Sequence, residues 1–569
     1  MMNTRGFALE ATLFTMLLIS VLIVAAMTGA ATVTRTANMD YRNSRVQYAA
    51  EAGADAIMAQ LADALEDGAL DDDELDAVTA PTVEGFTFSE VEVTRIGGVA
   101  VEAITDGPFA GLYSLTQRLE IFSEATDPSD NSSGVIVSAK AQAIPIFQFG
   151  IFFEDDLEIL NGPRLDFDGW THSNGNIYTS SNDSYFKNII TTPNSVIHNR
   201  KDRPESLNGV YINDALGNEV LLTFDSRDTP DPSTFRNNSE YYFDSRLKTS
   251  AHGVDTLRVP LPAGMPPITV MQPRQAGDPQ LVRKAKFAWK ADWYIVVPLN
   301  ALNGTGSNLC DIITWVRDGG EPTPSNAECE DIFSMEPDRF YDGREDNGVD
   351  ALDIDLQELF DWVDANPTAE TQIMYVTFTG TPADPWTDGT YPAVRIKNGA
   401  DLRNPFTIST DRPIYVWGDF NNPPGTWYPS AVVGDALTWL SNAWDDDDHD
   451  TSGDPKTNAS NTEMYTAVLA GHSATPWDWF VSGVAPYGGG VENYPRFLES
   501  WGGITATYYG SLVSLHQSVF STGQWVYGGY YTAPVRDWHF EMRFENPEDL
   551  PPGTPVVGQV IHTAFRPVY

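Results

Sequence analysis

The sequence of 569 residues predicts a mainly β fold that begins with one long α-helix. First, residues 11–34 contain no charged side chain, and residues 35–67 contain no proline. Second, apolar and polar residues alternate in segments from residue 82 onward, as they do in half-buried antiparallel strands. Third, the remaining chain consists of short apolar runs separated by Asn-Gly, Gly-Asp and proline-rich turns, which indicates short strands.

Residues 11–34 are expected to form a helix that crosses a membrane. At about 1.5 Å per residue, this uncharged run is long enough to cover a hydrocarbon core of about 30 Å. A cleaved secretory signal peptide is the alternative, because the small residues that end the run offer cleavage sites. The next segment favours an anchor, since residues 35–67 continue with helix-forming residues and only one glycine. We therefore expect an unbroken helix of roughly 60 residues that ends near Gly68.

The second part of this helix is expected to be amphipathic. Its apolar residues recur at steps of three and four, which is the period of an α-helix. The residues in this pattern are Ala37, Tyr41, Tyr48, Ala49, Ala52, Ala56, Ala59 and Leu61. The membrane-spanning segment should therefore continue as an amphipathic helix with these residues on its apolar face.

The rest of the chain is expected to contain a small sheet and a large β domain. Alternating segments at 85–96, 117–125 and 134–153 predict the antiparallel strands of the small sheet, placed at residues 82–148. Residues 149–569 read as short strands and turns, typical of a β-solenoid-like domain with loop excursions. A β-sandwich is the alternative, because short strands with frequent turns also describe it.

An internal echo favours the solenoid. Ile396 lies 237 residues after Ile159, and five further residues recur at the same offset. The first set is Ile159, Asn161, Gly162, Leu165, Ile177 and Tyr178, and the second is Ile396, Asn398, Gly399, Leu402, Ile414 and Tyr415. In a solenoid, inward aliphatic residues stack from coil to coil and Asn or Gly occupies the tight turns.

The amino-terminal sequence resembles that of type IV pilin-like proteins. Two runs carry the resemblance: RGFALEATLFTMLLISVLIVAAM at residues 5–27 and YRNSRVQYAAEAGADAIMAQL at residues 41–61. The second run is similar to PilX-like pilus assembly proteins. The resemblance implies that a prepilin peptidase removes residues 1–6 by cutting between Gly6 and Phe7. It also implies a helix over residues 7–67 and a small pilin-like sheet. Pilins usually carry an assembly carboxylate at the fifth position of the mature chain, and here Glu10 would take that role at the fourth position.

Later segments are similar to large bacterial PilX-like envelope proteins. They span residues 153–178, 339–362, 406–421, 431–444, 492–501 and 508–518. The resemblance implies contacts with other pilin or pseudopilin subunits through the amino-terminal helix. It also implies anchoring in the inner membrane, with the bulk of the chain periplasmic or extracellular, and incorporation into a pilus.

Composition limits the partners and the compartment. Acidic residues number 79 and basic residues 34, giving a formal charge of −45. Nucleic acids and anionic lipids require clustered Lys and Arg, so we expect no nucleic-acid partner. The two cysteines, Cys310 and Cys329, would form one disulfide in an oxidising compartment, and two separate buried thiols are the alternative.

Few residues suggest catalysis or metal binding. The histidines contain no helical zinc pair, and no phosphate-binding loop occurs. His172 is expected to be a turn histidine that bonds a backbone carbonyl rather than a catalytic base. The acidic run Asp445, Asp446, Asp447, Asp448 and Asp450 is expected to be a solvated charge run, with a calcium site as the alternative. No other cofactor is expected.

The sequence favours a non-catalytic subunit over an enzyme. The leading hypothesis is a minor pilin-like subunit of a type IV pilus or type II secretion pseudopilus that displays its β domain for adhesion or assembly priming. The alternative is a membrane-anchored β-helix protein that binds or cleaves polysaccharide, for which Asp166 and Asp168 are candidate paired carboxylates. Aromatic residues concentrated at 475–490 and 525–538 suit a surface glycan or partner, or they pack the solenoid and its loops.

Overall fold

The structure is a computed structural model of the chain. It describes residues 5–65, 70–262, 264–299, 308–317, 322–369, 371–380, 391–423, 425–449, 457–525 and 529–568. The first four residues of the expected leader, the expected helix end at Gly68, and Asp450 of the acidic run lie outside these ranges.

One long helix precedes many short strands. The helices are α1 (Arg5–Ala64), α2 (Asp72–Asp76), α3 (Pro232–Phe243), α4 (Gln280–Ala285), α5 (Phe287–Lys290), α6 (Leu309–Ile312), α7 (Asn326–Ile332), α8 (Leu356–Ala365) and α9 (Trp479–Ser482). Short 3₁₀ turns are Ile146–Gln148, Ser250–His252, Pro267–Met271, Asp446–Asp448, Val491–Asn493, Met542–Glu545 and Pro547–Asp549.

The strands account for most of the regular structure after α1. The first half contains β1 (Thr87–Ala103), β2 (Tyr113–Thr126), β3 (Ser132–Pro145), β4 (Phe149–Phe153), β5 (Leu157–Ile159), β6 (Leu165–Phe167), β7 (Trp170–Ser173), β8 (Ile177–Thr179), β9 (Ser181–Phe186), β10 (Ile190–Thr191), β11 (Val196–Ile197), β12 (Asn208–Asn213), β13 (Glu219–Leu221) and β14 (Leu247–Lys248). The second half contains β15 (Trp293–Pro298), β16 (Thr314–Val316), β17 (Phe333–Asp342), β18 (Asn347–Asp355), β19 (Ile373–Thr379), β20 (Pro392–Lys397), β21 (Phe406–Thr410), β22 (Ile414–Trp417), β23 (Ser430–Gly434), β24 (Leu437–Leu440), β25 (Thr462–Ala470), β26 (Pro495–Arg496), β27 (Thr505–Ser514), β28 (Val535–Phe540) and β29 (Val556–Val568). The mainly β fold with one long helix is confirmed.

Helix α1 is unbroken and is exposed over most of its length. Its 60 residues extend for about 90 Å at 1.5 Å per residue. Residues 8–45 are all exposed, and the buried part begins at Val46. The apolar part has a mean hydropathy of 2.3 and meets the length and composition needed to cross a membrane. The helix therefore has a free segment (residues 5–45) and a docked segment (residues 46–64).

The docked segment buries a different face from the one the spacing suggested. Its buried residues are Val46, Ala49, Ala50, Gly53, Ala54, Ile57, Met58 and Leu61. Of the expected stripe, Ala49 and Leu61 are buried, Ala56 is half-buried, and Ala37, Tyr41, Tyr48, Ala52 and Ala59 are exposed. The helix carries two stripes with the same period on opposite faces, so periodicity could not decide which one the sheet covers. We call the second set, Ala37, Tyr41, Tyr48, Ala52 and Ala59, the exposed stripe.

The small sheet is closed by the end of the chain. Its order is β1-β2-β3-β29, and every neighbouring pair is antiparallel. The sequence analysis placed residues 149–569 in one solenoid-like domain, but the structure assigns β29 to the small sheet beside β3. An alternating strand does not reveal its partner across hundreds of residues, which is why the sequence pattern missed this pairing. The solenoid is consequently an insertion between the third and fourth strands of the small sheet.

The insertion is a β-solenoid-like stack of parallel strands. Its long sheet has the order β14-β10-β7-β4-β27-β25-β23-β21-β19-β15-β16, with β28 beside β27. Three shorter sheets, β11-β8-β5, β13-β12-β9-β6 and β17-β18-β20-β22-β24-β26, form the other sides. Apart from β15–β16, β12–β13 and β17–β18, the strand pairs of these sheets are parallel. Parallel pairing from coil to coil excludes the β-sandwich alternative.

The chain enters this solenoid in its middle. Successive coils run from β4 outward through β7 and β10 to β14, and the chain then resumes at the opposite end with β15. From there the coils return through β19, β21, β23 and β25 to β27, which pairs with β4. We call this β4–β27 junction the seam. Two half-solenoids therefore form one continuous stack.

The six-residue echo marks equivalent positions of the two halves. In the first half, Leu157 and Ile177 are paired neighbours of β5 and β8. In the second half, Val394 and Ile414 are paired neighbours of β20 and β22. Both pairs obey the offset of the echo, so the aliphatic residues Ile177 and Ile414 occupy equivalent paired positions. The two asparagines differ, because Asn161 is buried whereas Asn398 is exposed with a φ of +56°.

We predict that Gly53→Ala will destabilise the docking of α1. A Cβ at Gly53 would lie 2.4 Å from Phe88 Cε1 and from Ser123 Oγ, so the helix would have to move off the sheet. Overpacking of this kind costs about 1–3 kcal/mol of unfolding free energy. Thermal unfolding of the full chain in detergent micelles measures the effect.

The matched control is Gly29→Ala, because no atom lies within 4 Å of a Cβ at Gly29. Equal thermal midpoints for the two variants would show that the close approach at Gly53 does not limit helix docking.

Candidate functional site

The free segment of α1 is the first candidate functional site. Gly6 and Phe7, the expected cleavage residues, lie in the first turns of the helix, and Glu10 is exposed one turn further. Whether the Gly6–Phe7 bond is cut, and whether Glu10 meets a neighbouring amine, stay predictions.

The hydroxyl groups of the free segment bond to their own helix. Thr15 donates to the Ala11 carbonyl at 2.8 Å, Ser20 to Met16 at 2.7 Å and Thr32 to Thr28 at 2.8 Å. A polar group in a hydrocarbon environment must find its partner within the protein. These bonds therefore make an otherwise apolar helix compatible with lipid or with packed sister helices.

Polar contacts mark the point at which α1 leaves the body. The Asn131 amide donates to Asn43 Oδ1 at 3.1 Å. The Arg45 guanidinium lies over the ring of Phe86, with 5.4 Å from its central carbon to the ring centroid. Further along, the Gln117 side chain bonds the backbone of Leu70 through both its oxygen and its nitrogen, at 2.8 and 3.3 Å. Contacts thus fix the start of the docked segment and, separately, the chain at Leu70.

The paired carboxylates considered for polysaccharide cleavage lie on the solenoid surface near the seam. Asp166 binds Arg164 Nε at 3.0 Å and Lys187 Nζ at 2.7 Å. Asp168 accepts from His539 Nδ1 at 2.5 Å, and Asp537 binds the other ring nitrogen of His539 at 3.0 Å. Sequence reasoning did not anticipate His539, which is brought here by β28. Both carboxylates are held in ion pairs in this arrangement.

His172 is buried within an aromatic cluster. The expected hydrogen bond to a backbone carbonyl is not formed, because both ring nitrogens bond side chains. Its Nδ1 bonds Thr191 Oγ1 at 2.8 Å and its Nε2 bonds Asn174 Oδ1 at 3.0 Å. Its ring lies 5.1 Å from that of Phe152. Burial lowers the pKa of His172 to about 4, so the imidazole is neutral in the folded protein. Thr191 is a partner because the solenoid stacks β7 on β10, which a local turn pattern cannot show.

The acidic run is divided between the interior and the surface. Asp446 is buried and binds Arg395 Nη1 at 2.6 Å and Trp444 Nε1 at 2.8 Å, whereas Asp445, Asp447 and Asp448 are exposed. Burial would raise the pKa of Asp446, but hydrogen bonds and charge from Arg395 outweigh it and lower the pKa. In the part of the chain that the structure describes, no three acidic, His or Cys side chains form a metal-binding group. Calcium binding by this run stays a prediction.

Arg395 is the residue that sequence reasoning missed in this region. Its guanidinium is fully buried and also binds Asp353 at 2.7 Å through both Nε and Nη2. Because the buried Arg395 binds Asp446, residues 445–448 of the run pack against the solenoid rather than forming a solvated loop. No local pattern marks Arg395, because its carboxylate partners lie 42 and 51 residues away in sequence.

The two cysteines meet at the outer end of the solenoid. Cys310 in α6 and Cys329 in α7 are joined in a disulfide, with a Cα–Cα distance of 5.9 Å. Both are buried in the solenoid core. The bond lies beside β16 and β17, and so it ties together the segment that covers the end of the stack.

The aromatic segments are partly exposed. In residues 475–490, the side chains of Trp477, Phe480, Val481 and Val484 are exposed, while the Tyr178 hydroxyl donates to Asp478 at 2.7 Å and holds the segment down. In residues 525–538, the ring of Trp525 packs 4.8 Å from that of Tyr531, which is buried. Packing of the solenoid therefore accounts for part of these aromatics, and glycan binding by the rest stays a prediction.

Comparison with known proteins adds a single structural similarity. No family model matches the chain, and no curated protein matches it. Among solved structures, the competence-associated pilin ComZ from Thermus thermophilus is similar, with 12% sequence identity, 92% of this chain and 97% of that chain covered, and a TM-score of 0.29. A TM-score this low carries no argument, so the functional inference depends on the residues described above.

We predict that Arg395→Met will strongly destabilise the solenoid. The substitution leaves the buried carboxylates of Asp353 and Asp446 without their main cation, which typically costs about 3–5 kcal/mol. Chemical denaturation followed by tryptophan fluorescence measures the loss. The control is Asp447→Asn, which removes an exposed charge from the same run and should change the unfolding free energy by less than about 0.5 kcal/mol. A similar effect of both variants would contradict this assignment.

We predict that His539 stabilises the seam region more at acidic than at alkaline pH. Hydrogen bonds that His539 donates to Asp168 and Asp537 raise its pKa above the ordinary 6.5. The protonated pair therefore contributes its full stabilisation below about pH 6.5, and this is lost as the pH rises through the folded-state pKa. Because the ring is about one-third exposed, we expect at most about 1 kcal/mol.

Thermal midpoints of wild type and His539→Gln at pH 5.5 and pH 8.5 test this effect. The difference between the two proteins should be larger at pH 5.5. A difference that is equal at both values, or larger at pH 8.5, would exclude a charged His539–Asp168 pair.

Proposed function

We propose that the chain is a non-catalytic, low-abundance pilin-like subunit of a type IV pilus or type II secretion pseudopilus. One observation carries this proposal: α1 is a single helix whose docked segment is held by an antiparallel sheet, while residues 8–45 of its free segment are all exposed. Such a helix has the length to span a membrane and to pack afterwards among helices of the same kind.

The exposed stripe supports packing among sister helices. It combines small residues with Tyr41 and Tyr48 and points away from the small sheet. Small residues allow helix backbones to approach closely, and intrahelical hydroxyl bonds leave few unsatisfied polar groups. Other pilin or pseudopilin subunits are the partners that this surface suits.

The position of the solenoid supports a minor, displayed subunit. It is inserted between β3 and β29, so about 400 residues project from a small sheet. Heads of this size would crowd one another in a regular helical filament, whereas a subunit at the tip or at intervals has room. We propose adhesion or assembly priming as the role of the displayed domain, with a surface glycan as one ligand.

Processing belongs to the same proposal. Cleavage between Gly6 and Phe7 by a prepilin peptidase would leave Phe7 at the new amino terminus and Glu10 one turn away. We propose that the chain is anchored in the inner membrane before assembly, with its bulk in the periplasm or outside the cell.

A second candidate function is polysaccharide binding or cleavage at the solenoid surface. The observation that favours it is the cluster of Asp166, Asp168, His539 and Lys187 beside the seam. Carboxylates and a histidine in contact can move protons, which glycoside cleavage requires. Incubation of the full chain with acidic and neutral glycans, followed by product analysis, distinguishes cleavage from binding.

Photocrosslinking in native cells tests the subunit role. We predict that p-benzoylphenylalanine in place of Tyr48, which is 67% exposed on α1, will form adducts with pilin-sized proteins. The matched control replaces Tyr241, which is 81% exposed on the solenoid, and should give no such adducts. Absence of Tyr48 adducts in cells that assemble pili containing the protein would contradict packing through the exposed stripe.

A further inference from the structure

Three adjacent strands of the long sheet bring two histidines and an aspartate to one corner of the solenoid. Leu469 of β25 is paired with Val513 of β27, and Val513 is in turn paired with Phe152 of β4. Three residues after these paired positions come His472, His516 and Asp155. Residues that are far apart in sequence are therefore stacked at the same corner, one on each of three coils.

Both histidines are buried and keep ring nitrogens without a partner. Their exposed fractions are 9% for His472 and 7% for His516. His472 Nδ1 lies 2.7 Å from Ser514 Oγ, and this hydroxyl in turn donates to the His516 carbonyl oxygen at 3.2 Å. His472 Nδ1 must then carry the proton, which leaves a lone pair on its Nε2. Neither that atom nor either ring nitrogen of His516 has a hydrogen-bond partner.

Both imidazoles are in the protonation state that a metal requires. Burial lowers the pKa of His472 to about 4 and that of His516 to about 3, and a charge on His472 would further disfavour one on His516. At neutral pH the two rings are uncharged and present lone pairs. Asp155, half-buried beside them, supplies a negative charge that acts on His472, and Lys201 is paired with Asp156 at 3.0 Å.

We propose that His472 and His516 bind one transition-metal ion of the zinc and copper class through their unpartnered ring nitrogens. An ion would satisfy buried lone pairs that otherwise cost about 1–3 kcal/mol each. Imidazole nitrogen suits Zn²⁺, Cu²⁺ and Ni²⁺, whereas Ca²⁺ and Mg²⁺ prefer oxygen. No three ligand side chains already surround one point in the described ranges, so water completes the coordination shell and Asp155 attracts the ion electrostatically.

The site is independent of the proposed function. It lies in the inserted solenoid, next to the β4–β27 seam, and not on α1. A bound ion would tie the coil of β25 to the coil of β27, beside the seam.

Zinc titration of the full chain in detergent micelles tests the proposal. Ca²⁺ is kept in large excess so that the many surface carboxylates are already occupied by a hard cation. We expect one Zn²⁺ per chain by isothermal titration calorimetry and a rise in the thermal midpoint. His472→Gln and His516→Gln should each weaken binding by at least about tenfold, since each removes one of two protein ligands.

His562→Gln is the matched control, because His562 is exposed on β29 and should leave zinc binding unchanged. Co²⁺ gives a second readout with the wild-type protein alone: nitrogen coordination should produce visible absorption bands that Zn²⁺ abolishes. The proposal is overturned if zinc binding is the same in both ring variants, or if the wild type binds no Zn²⁺ and no Co²⁺ in the presence of Ca²⁺.

Discussion

The docking of residues 46–64 of α1 on the small sheet is the interaction on which the rest of the structure depends. The glycine at position 53 lets the helix approach Phe88 and Ser123, and Val46, Ile57 and Leu61 fill the interface. Because β29 supplies the outer strand beside β3, the sheet is complete only when the chain has returned from the whole solenoid. Complete docking of the helix therefore requires that the chain has returned from the inserted domain, so the folding of the two parts of the molecule is coupled.

The path of the chain through the solenoid follows from this insertion. Both β3 and β29 lie in the small sheet, so the inserted chain must leave and return at neighbouring positions. Entry at β4 and exit after β28, which pair with consecutive parts of the same edge of β27, meets that requirement. This arrangement leaves the stack with two ends. One end is covered by α3 and β14, and the other by β16 and the Cys310–Cys329 disulfide. Buried charge pairs such as Arg395 with Asp446 fasten the covering loops to its sides.

The sequence predicted those features whose signal is periodic or local. The long helix follows from an uncharged run without proline, the small sheet from alternating residues, and the solenoid from the echo between residues 159–178 and 396–415. Features that depend on distant contacts were not predictable. Four features require the register of strands that are far apart in sequence. They are the pairing of β29 with β3, the choice between two helix stripes, the ion pair of Arg395 with Asp446, and the placement of His472 beside His516. The cysteine pair was the exception, because only two cysteines exist.

The central claim is that one rigid, continuous helix links a free apolar segment to the docked head. Spin labels at Leu17 and Tyr48, both exposed in α1, measure this most directly in the full chain reconstituted in lipid nanodiscs. An unbroken helix places the two backbone positions about 46 Å apart, at 1.5 Å per residue, and should give a narrow distance distribution by pulsed electron paramagnetic resonance. A broad distribution centred at a clearly shorter distance would show that the helix breaks between the two segments and would contradict the account.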